Sequence, residues 1–329
     1  MSRSLRIATF NLENLDDRLD QEVFAERLSI LRPQLERLRA DVLCLQEVNA
    51  KSASKRGLRK LTALDRLIEG TPYSGYERAA SLNRLKKRYS DRHNLVVLSR
   101  FPMIEAVQYW HDLVPPPFCR QATTGADNSS PKTVEWDRPV LHVGLDIGGG
   151  RRLHVLNLHL RAPRAALVPG HKIDKNSWND LGGWAEGFYL AAIKRSGQAL
   201  EARLAIEKIF DADRSALVAV AGDFNASDQE MPVRTLMGDE EDAGNGALAH
   251  RILVPIDRGI PASERYSVIH HGRLRMLDHI LASRTLMGWF RKTEIHNEML
   301  GDELVSPVKI TNSPESSHAP LLAEFEIPD

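Results

Sequence analysis

Apolar residues along this chain fall into short runs, and most of those runs end on a polar group. The first, 5–10, is broken only by Arg6 and Thr9 and ends in Asn11-Leu12-Glu13-Asn14. It reads as a strand. In 23–38, Phe24, Leu28, Leu31, Leu35 and Leu38 recur at spacings of four and three, which predicts an amphipathic helix. Pro33 predicts a kink or break inside it. A second buried strand, 41–47, delivers Glu47 at its carboxyl end. A short helix is expected over 58–68. Another strand, 95–99, has His93 and Asn94 at its entrance. The runs 140–147 and 153–160 flank Gly148-Gly149-Gly150, a hairpin signal, and the second carries Asn157 and His159 on one face. A helix is expected over 188–210. Then 216–225 reads Ala-Leu-Val-Ala-Val-Ala-Gly-Asp-Phe-Asn, a buried strand running into Asp223 and Asn225. A hairpin is expected over 266–269 and 274–281, its second arm holding Leu277-Asp278-His279-Ile280. A closing strand over 321–327 follows a turn that contains His318.

Two segments, about 111–137 and 161–183, have no such periodicity and read as long loops. Loops of that length inside a compact fold are often functional. No repeat, low-complexity tract or linker interrupts the chain, so the expectation is a single α/β domain over 1–329.

Composition narrows the class. The 329 residues are 42% hydrophobic and 27% charged, ordinary for a globular protein with a sizeable core. Lys plus Arg equals Asp plus Glu at 44 each, so no global field advertises a polyanion partner. Locally the balance differs: 51–92 holds twelve Lys or Arg against four Asp or Glu, an excess of 12 − 4 = +8. An acidic patch, Asp228 through Asp242, lacks calcium-loop spacing and reads as a solvated loop. The two cysteines, Cys44 and Cys119, make no disulfide framework. The N-terminal apolar run is too short for a signal sequence and no stretch is long enough to span a membrane, so a cytoplasmic protein is the expectation.

A series of strands ending on Asn11, Glu47, Asn157/His159, Asp223/Asn225, Asp278 and His318 argues for convergence in one cleft. One such ending is an ordinary turn; the series suits metal-assisted phosphoester hydrolysis. Glu47 is a hard oxygen ligand of the kind Mg²⁺ takes, with water and phosphate completing the shell. Asp223 would hold and deprotonate the attacking water, with Asn225 orienting it. His318 would hydrogen-bond the phosphate, with Asp278 fixing its tautomer and raising its pKa. His159 and Asn11 would bind further phosphate oxygens. Asn157, Arg56 and Arg161 are the expected substrate contacts.

At these positions the chain resembles the endonuclease/exonuclease/phosphatase (DNase I-like) superfamily. The resemblance rests on Thr9-Phe-Asn-Leu12, Leu45-Gln-Glu-Val48, Asn157-Leu-His-Leu160, Gly222-Asp-Phe-Asn225, Leu277-Asp-His-Ile280 and Ser317-His-Ala-Pro320, which occur in the superfamily's order. It implies a four-layer α/β sandwich, two packed mixed β-sheets flanked by helices, and one or two Mg²⁺ or Mn²⁺ ions. It assigns the metal to Glu47, with Asn11 and Glu13 as the first-motif ligands. It also assigns Asp223 and Asn225 to water activation, and Asp278 and His318 to the buried pair. The last motif departs from the pattern: where Ser-Asp-His is usual, this chain has Ser316-Ser317-His318, and a carboxylate is lost. Glu315 is a weak substitute.

Three functions compete. The basic excess favours a phosphodiesterase or nuclease acting on DNA or RNA. The two long loops favour a phosphatase or phospholipase acting on a phosphorylated lipid, sugar or small metabolite. The lost carboxylate favours a binding or scaffold protein that kept the fold. The sequence is silent on oligomeric state.

Overall fold

Twelve strands build two six-stranded mixed sheets. A computed structural model describes residues 3–52, 57–124, 130–302 and 314–328. In chain order the strands are β1 (Arg3–Leu15), β2 (Val42–Val48), β3 (Glu77–Ala80), β4 (Asn94–Ser99), β5 (Met103–Tyr109), β6 (Val140–Asp146), β7 (Arg152–His159), β8 (Leu217–Asp223), β9 (Leu253–Pro255), β10 (Asp278–Ser283), β11 (Phe290–Ile295) and β12 (Leu321–Ile327). The first sheet is ordered β11-β12-β1-β2-β4-β3 and the second β9-β10-β8-β7-β6-β5. Each has one parallel pair at its centre, β1–β2 in the first and β7–β8 in the second. A parallel pair needs a crossover, and helices supply it: α1 (Gln21–Leu38) between β1 and β2, and α3 (Leu181–Ala212) between β7 and β8. The shorter α2 (Thr62–Ile68) packs beside α1.

Strand periodicity explains the layers. Leu5, Ile7, Val42, Cys44, Val143, Val155, Ala219, Ala221 and Ile280 point inward and share one core between the sheets. Their alternates point outward. Ala8, Phe10 and Leu43 pack under α1 and α2, while Leu156, Val218 and Val220 pack under α3. Burial raises the pKa of the Cys44 thiol, which behaves as a small core hydrophobe. Gly222 has φ +146°, and a Cβ there would sit 1.9 Å from the Leu158 carbonyl oxygen, so only glycine lets β8 approach β7 at this point.

Local differences from the sequence reading have physical causes. α1 runs unbroken through Pro33, because its buried face of Phe24, Leu28, Leu31, Leu35 and Leu38 stays in phase on both sides. Asp20 caps its start by accepting from the Glu22 N–H. β1 continues through Asn11 to Leu15 instead of stopping at Asn11. α3 begins seven residues before the expected 188, capped by Asp180 accepting from the Gly183 N–H. Glycines discourage helix in isolation, but Gly187 lies where a Cβ would come within 2.4 Å of the Ala166 carbonyl oxygen, so the absent side chain lets the 161–180 loop lie on the helix. The acidic patch is helical in part, with α4 (Met231–Met237) and a turn at Glu240–Ala243. Among the described residues, no helix is long and apolar enough to cross a membrane.

Candidate active site

The inward-facing rows that fill the core turn polar at one end. Leu5 and Ile7 are followed by Thr9 and Asn11; Val42 and Cys44 by Gln46; Val155 by Asn157 and His159; Ala219 and Ala221 by Asp223. On β10, which runs antiparallel to β8, the inward row begins at Asp278, directly opposite Asp223. The same alternation therefore lays down the core and then the site. The polar ends open into a cleft of about 520 Å³ lined by Glu13, Glu47, His159, Asp223, Asn225 and His318, among others.

Asp223 is the centre of the network. Its Oδ1 accepts from the Asn225 backbone N–H at 2.8 Å. Its Oδ2 accepts from Asn11 Nδ2 and from Asn225 Nδ2, each at 3.0 Å. His159 Nε2 lies 3.3 Å from the same Oδ2. Burial pushes the Asp223 carboxyl up to about 7; Asp278 and Glu47 add to the rise, while His318 opposes it. His318 Nδ1 pairs with Asp278 Oδ2 at 2.8 Å, and its Nε2 is 4.0 Å from Asp223 Oδ2. Burial alone would depress the imidazole, but Asp278 and Asp223 outweigh it and carry His318 up to about 10. His159 goes the other way, held well below its usual value by burial and by Arg138, His93 and His318. It is a neutral ring.

Glu47 leaves β2 with φ +59°, at a register irregularity between Leu45 and Val48. Its Oε2 accepts from the Asn14 N–H at 3.0 Å and its Oε1 lies 3.7 Å from His159 Nε2. Glu13 Oε2 accepts from the Ser317 N–H at 2.7 Å. Five cleft residues, Glu13, Asn14, Glu47, His93 and Asn225, hold positive φ without being glycine. Such backbone is strained and persists where its surroundings enforce it. Glu47 and Glu13 give the cleft two carboxylates, a donor set that fits a hard divalent cation. Asp223, Asp278 and His318 also bring one ligand atom each within 4.8 Å of one another. There, however, the Asp278–His318 bond already occupies two of the three groups.

Some expected residues are placed differently. Asn11 does not offer a free ligand: its Oδ1 accepts from the Glu13 N–H at 2.9 Å and its Nδ2 holds Asp223. Asn157 does not reach the cleft. It sits one step deeper, accepting from Gln46 Nε2 at 2.7 Å and donating to the Leu45 and Val96 carbonyls, so it ties the two sheets together. Arg161 lines the cleft and donates to Asp137 Oδ2 at 3.1 Å. Arg56 lies outside the described residues. Glu315 is exposed and lines a separate small cavity beside Gln34 and Arg37. The basic excess of 51–92 is answered in part: Lys51 faces Asp17, Arg84 faces Glu135 and Lys86 faces Asp112 from outside the run, and Arg78 faces Asp65 within it.

Two cleft residues carry no signal in the strand-end reading. His93 Nε2 meets Asn14 Oδ1 at 2.9 Å, and Arg138 Nη2 donates to His93 Nδ1 at 2.9 Å. Because Nδ1 accepts, the proton of this ring is on Nε2. On α3, the buried Gln198 accepts from the Arg161 N–H and donates to the Arg138 carbonyl, which fixes both arginine backbones. The two long loops, with α3, also enclose a cavity of about 630 Å³ next to the cleft, lined by Trp136, Leu167, Val168, Leu190, Lys132 and Lys194 among others.

Solved structures share this architecture. Truncated TDP2 of Caenorhabditis elegans matches over 98% of this chain and 98% of its own, at TM-score 0.57 and 15% identity. The human Nocturnin catalytic domain matches over 98% and 94%, at TM-score 0.54 and 17% identity. An AP endonuclease from Archaeoglobus fulgidus matches over 98% and 99%, at TM-score 0.52 and 16% identity. At such identities these likenesses speak for the fold. No curated protein sequence matches the chain. The profile of the endonuclease/exonuclease/phosphatase family matches residues 8–298. The chain belongs to that family of phosphoester hydrolases.

Proposed function

We propose that the chain is a divalent-metal-dependent phosphodiesterase acting on nucleic acid. The observation that carries this reading is Asp223, a fully buried carboxylate held by three N–H donors, with a pKa near 7, where a general base works best. Asp223 takes the proton of the attacking water. Asn11 and Asn225 hold its carboxylate in place, and Arg195 donates to the Asn225 carbonyl at 2.7 Å, bracing that turn. His318 donates Nδ1–H to Asp278 and keeps Nε2–H for a phosphate oxygen. His159, neutral and beside both Asp223 and Glu47, is a further donor to the phosphoryl group.

Members of this family generally depend on a divalent metal, and here Glu47 and Glu13 would hold Mg²⁺ or Mn²⁺. When bound, such an ion polarises a phosphoryl oxygen and steadies the leaving oxygen. Nucleic acid is favoured by the cleft walls, which carry Arg138, Arg161, Arg164 and Arg275. A second reading draws on the cavity between the long loops: a small phosphorylated molecule would place its non-phosphate portion there.

Plasmid DNA, a short single strand and bis(p-nitrophenyl) phosphate, each with Mg²⁺, Mn²⁺ or EDTA, separate these readings. Metal-dependent DNA cleavage that disappears in Asp223→Ala is the expected result. Turnover of the small ester alone moves the substrate to small molecules. No turnover of any of the three overturns the hydrolase reading.

A further inference from the structure

Beside the catalytic cleft lies a second, smaller cavity of about 190 Å³. The two share a wall made by His93, Arg138 and Arg161. Behind that wall the small cavity is completed by Arg92, Ser81, Ser90 and Trp110, with Asp137 at its edge. Three guanidinium groups face one carboxylate, and that carboxylate is already engaged by Arg161 at 3.1 Å and Lys194 at 2.9 Å. His93 adds no charge, since its Nδ1 accepts from Arg138 Nη2. The space is cationic: three guanidinium groups line it, against the single carboxylate of Asp137.

The donors inside the wall are unmet. Nε and Nη1 of Arg138, and Nε of Arg161, are buried without a hydrogen-bond partner. A buried donor left unpaired costs about 1–3 kcal/mol, more when charged. In a guanidinium, Nε–H and Nη1–H leave from different edges, so one acceptor cannot satisfy both. Arg138, with Nη2 fixed on His93, has the free donors of a side chain standing between two anions. Arg92 is largely exposed and its nearest acid, Asp91, is 4.0 Å away, so it can fold over the opening.

We propose that this cavity is a subsite for a second, non-scissile phosphate of the substrate, one linkage from the bond that is cut. The assignment rests on the phosphodiesterase reading above and narrows it: the preferred substrate carries at least two phosphoryl groups. That phosphate belongs either to a continuing polynucleotide or to a terminal phosphomonoester.

Three substrates test this: a dinucleoside monophosphate, the same molecule with a 5′-terminal phosphate, and a trinucleotide with an added internal phosphodiester. The expected result is that at least one of the two phosphate-bearing molecules is favoured about tenfold through KM, and that the preference collapses toward unity in Arg92→Ser and in Arg138→Met. Preference for the monoester alone names a terminal phosphate; preference for the trinucleotide names a polymer. Because Arg92 is exposed, Arg92→Ser is expected to melt with the wild type. Affinity for the 5′-phosphorylated dinucleotide, measured by calorimetry in EDTA, reads the subsite without turnover, and Arg92→Ser should weaken it about tenfold. Should wild type bind this probe as expected and yet cleave nothing, the hydrolase reading fails and the subsite stands. Equal KM values for all three substrates, or an affinity unchanged in both arginine variants, overturn the subsite.

Discussion

Two clusters in this protein bring carboxylates and a pair of histidines together, and they behave differently. In the cleft, Glu47, His159, Asp223, Asp278 and His318 come from both sheets and meet where the strands end. On the outer face of the second sheet, Glu105, His142 and His154 sit on adjacent strands β5, β6 and β7, their ligand atoms within 4.8 Å of one another. The second group is largely closed on itself: His142 Nε2 meets His154 Nδ1 at 3.0 Å, and Arg152 meets Glu105 at 3.0 Å. Neighbouring strands of one sheet bring such side chains together as a matter of course. The cleft has what the other lacks, namely strained backbone at five side-chain-bearing residues. Proximity of ionisable groups is therefore a poor guide to chemistry; the strained backbone that holds them is a better one.

The contrast can be broken at either cluster. The largest expected effect is in the cleft: Asp223→Ala should lower kcat by about 10³-fold, in the range of a lost general base, while Glu105→Ala leaves kcat unchanged. Comparable losses in both would erase the distinction. Next comes acid stability at the outer cluster. Burial, with Arg152 nearby, lowers the His142 pKa to about 4; His154 falls to about 4 as well, under burial, His142 and Arg152, against Glu105 and Asp213. Between pH 6.5 and 4 the unfolded chain binds protons that the folded chain refuses. Stability is thus full above pH 6.5, falls as pH drops through the window and levels off below 4. For His142 the loss is on the order of 3 kcal/mol. Urea melts across that range should show it for the wild type, and a flatter profile for His142→Phe.

A smaller effect is expected one step below the cleft. Asn157→Ala strips partners from Gln46 and from the Leu45 and Val96 carbonyls, so stability should fall by about 2 kcal/mol with KM unchanged. A raised KM at wild-type stability would return Asn157 to the substrate. Smallest is Ser317→Asp, which places a carboxylate beside Glu13. The half-saturating Mg²⁺ concentration should drop about threefold, under 1 kcal/mol by the usual conversion; an unmoved titration means the side chain faces elsewhere.

Much of this was legible in the sequence, for a reason visible in the strands. Asn11, Glu47, His159 and Asp223 follow apolar runs, and a period of two carries the reader straight from core to cleft. The family motifs carry the same residues, and the family profile spans them. Arg138 and His93 escaped because they precede their strands. β4 runs antiparallel to β2 and β6 antiparallel to β7, so their amino ends lie beside the carboxyl ends of their partners. Asp-Arg-His before β4 and Asp-Arg-Pro before β6 were the available signals, but they become informative only once strand direction is known. Asn157 misled for the opposite reason: it shares the inward row with His159, and no periodicity tells which member of a row is the last one under cover. How far the basic run is paired was not legible, because Asp17, Asp112 and Glu135, which face three of its residues, lie outside it in sequence.

The continuity of those inward rows ties folding fidelity to activity. Slipping a central strand by one position would turn its cleft-facing group outward and drive a helix-facing residue into the cleft. With Asp223 as the proposed general base, a chain with a mispaired β8 would be catalytically blank rather than partly active. Specific activity in this protein is thus a direct assay of how many molecules in a preparation have their sheets in register, a built-in proofreading signal that a bulk measure of secondary structure would miss.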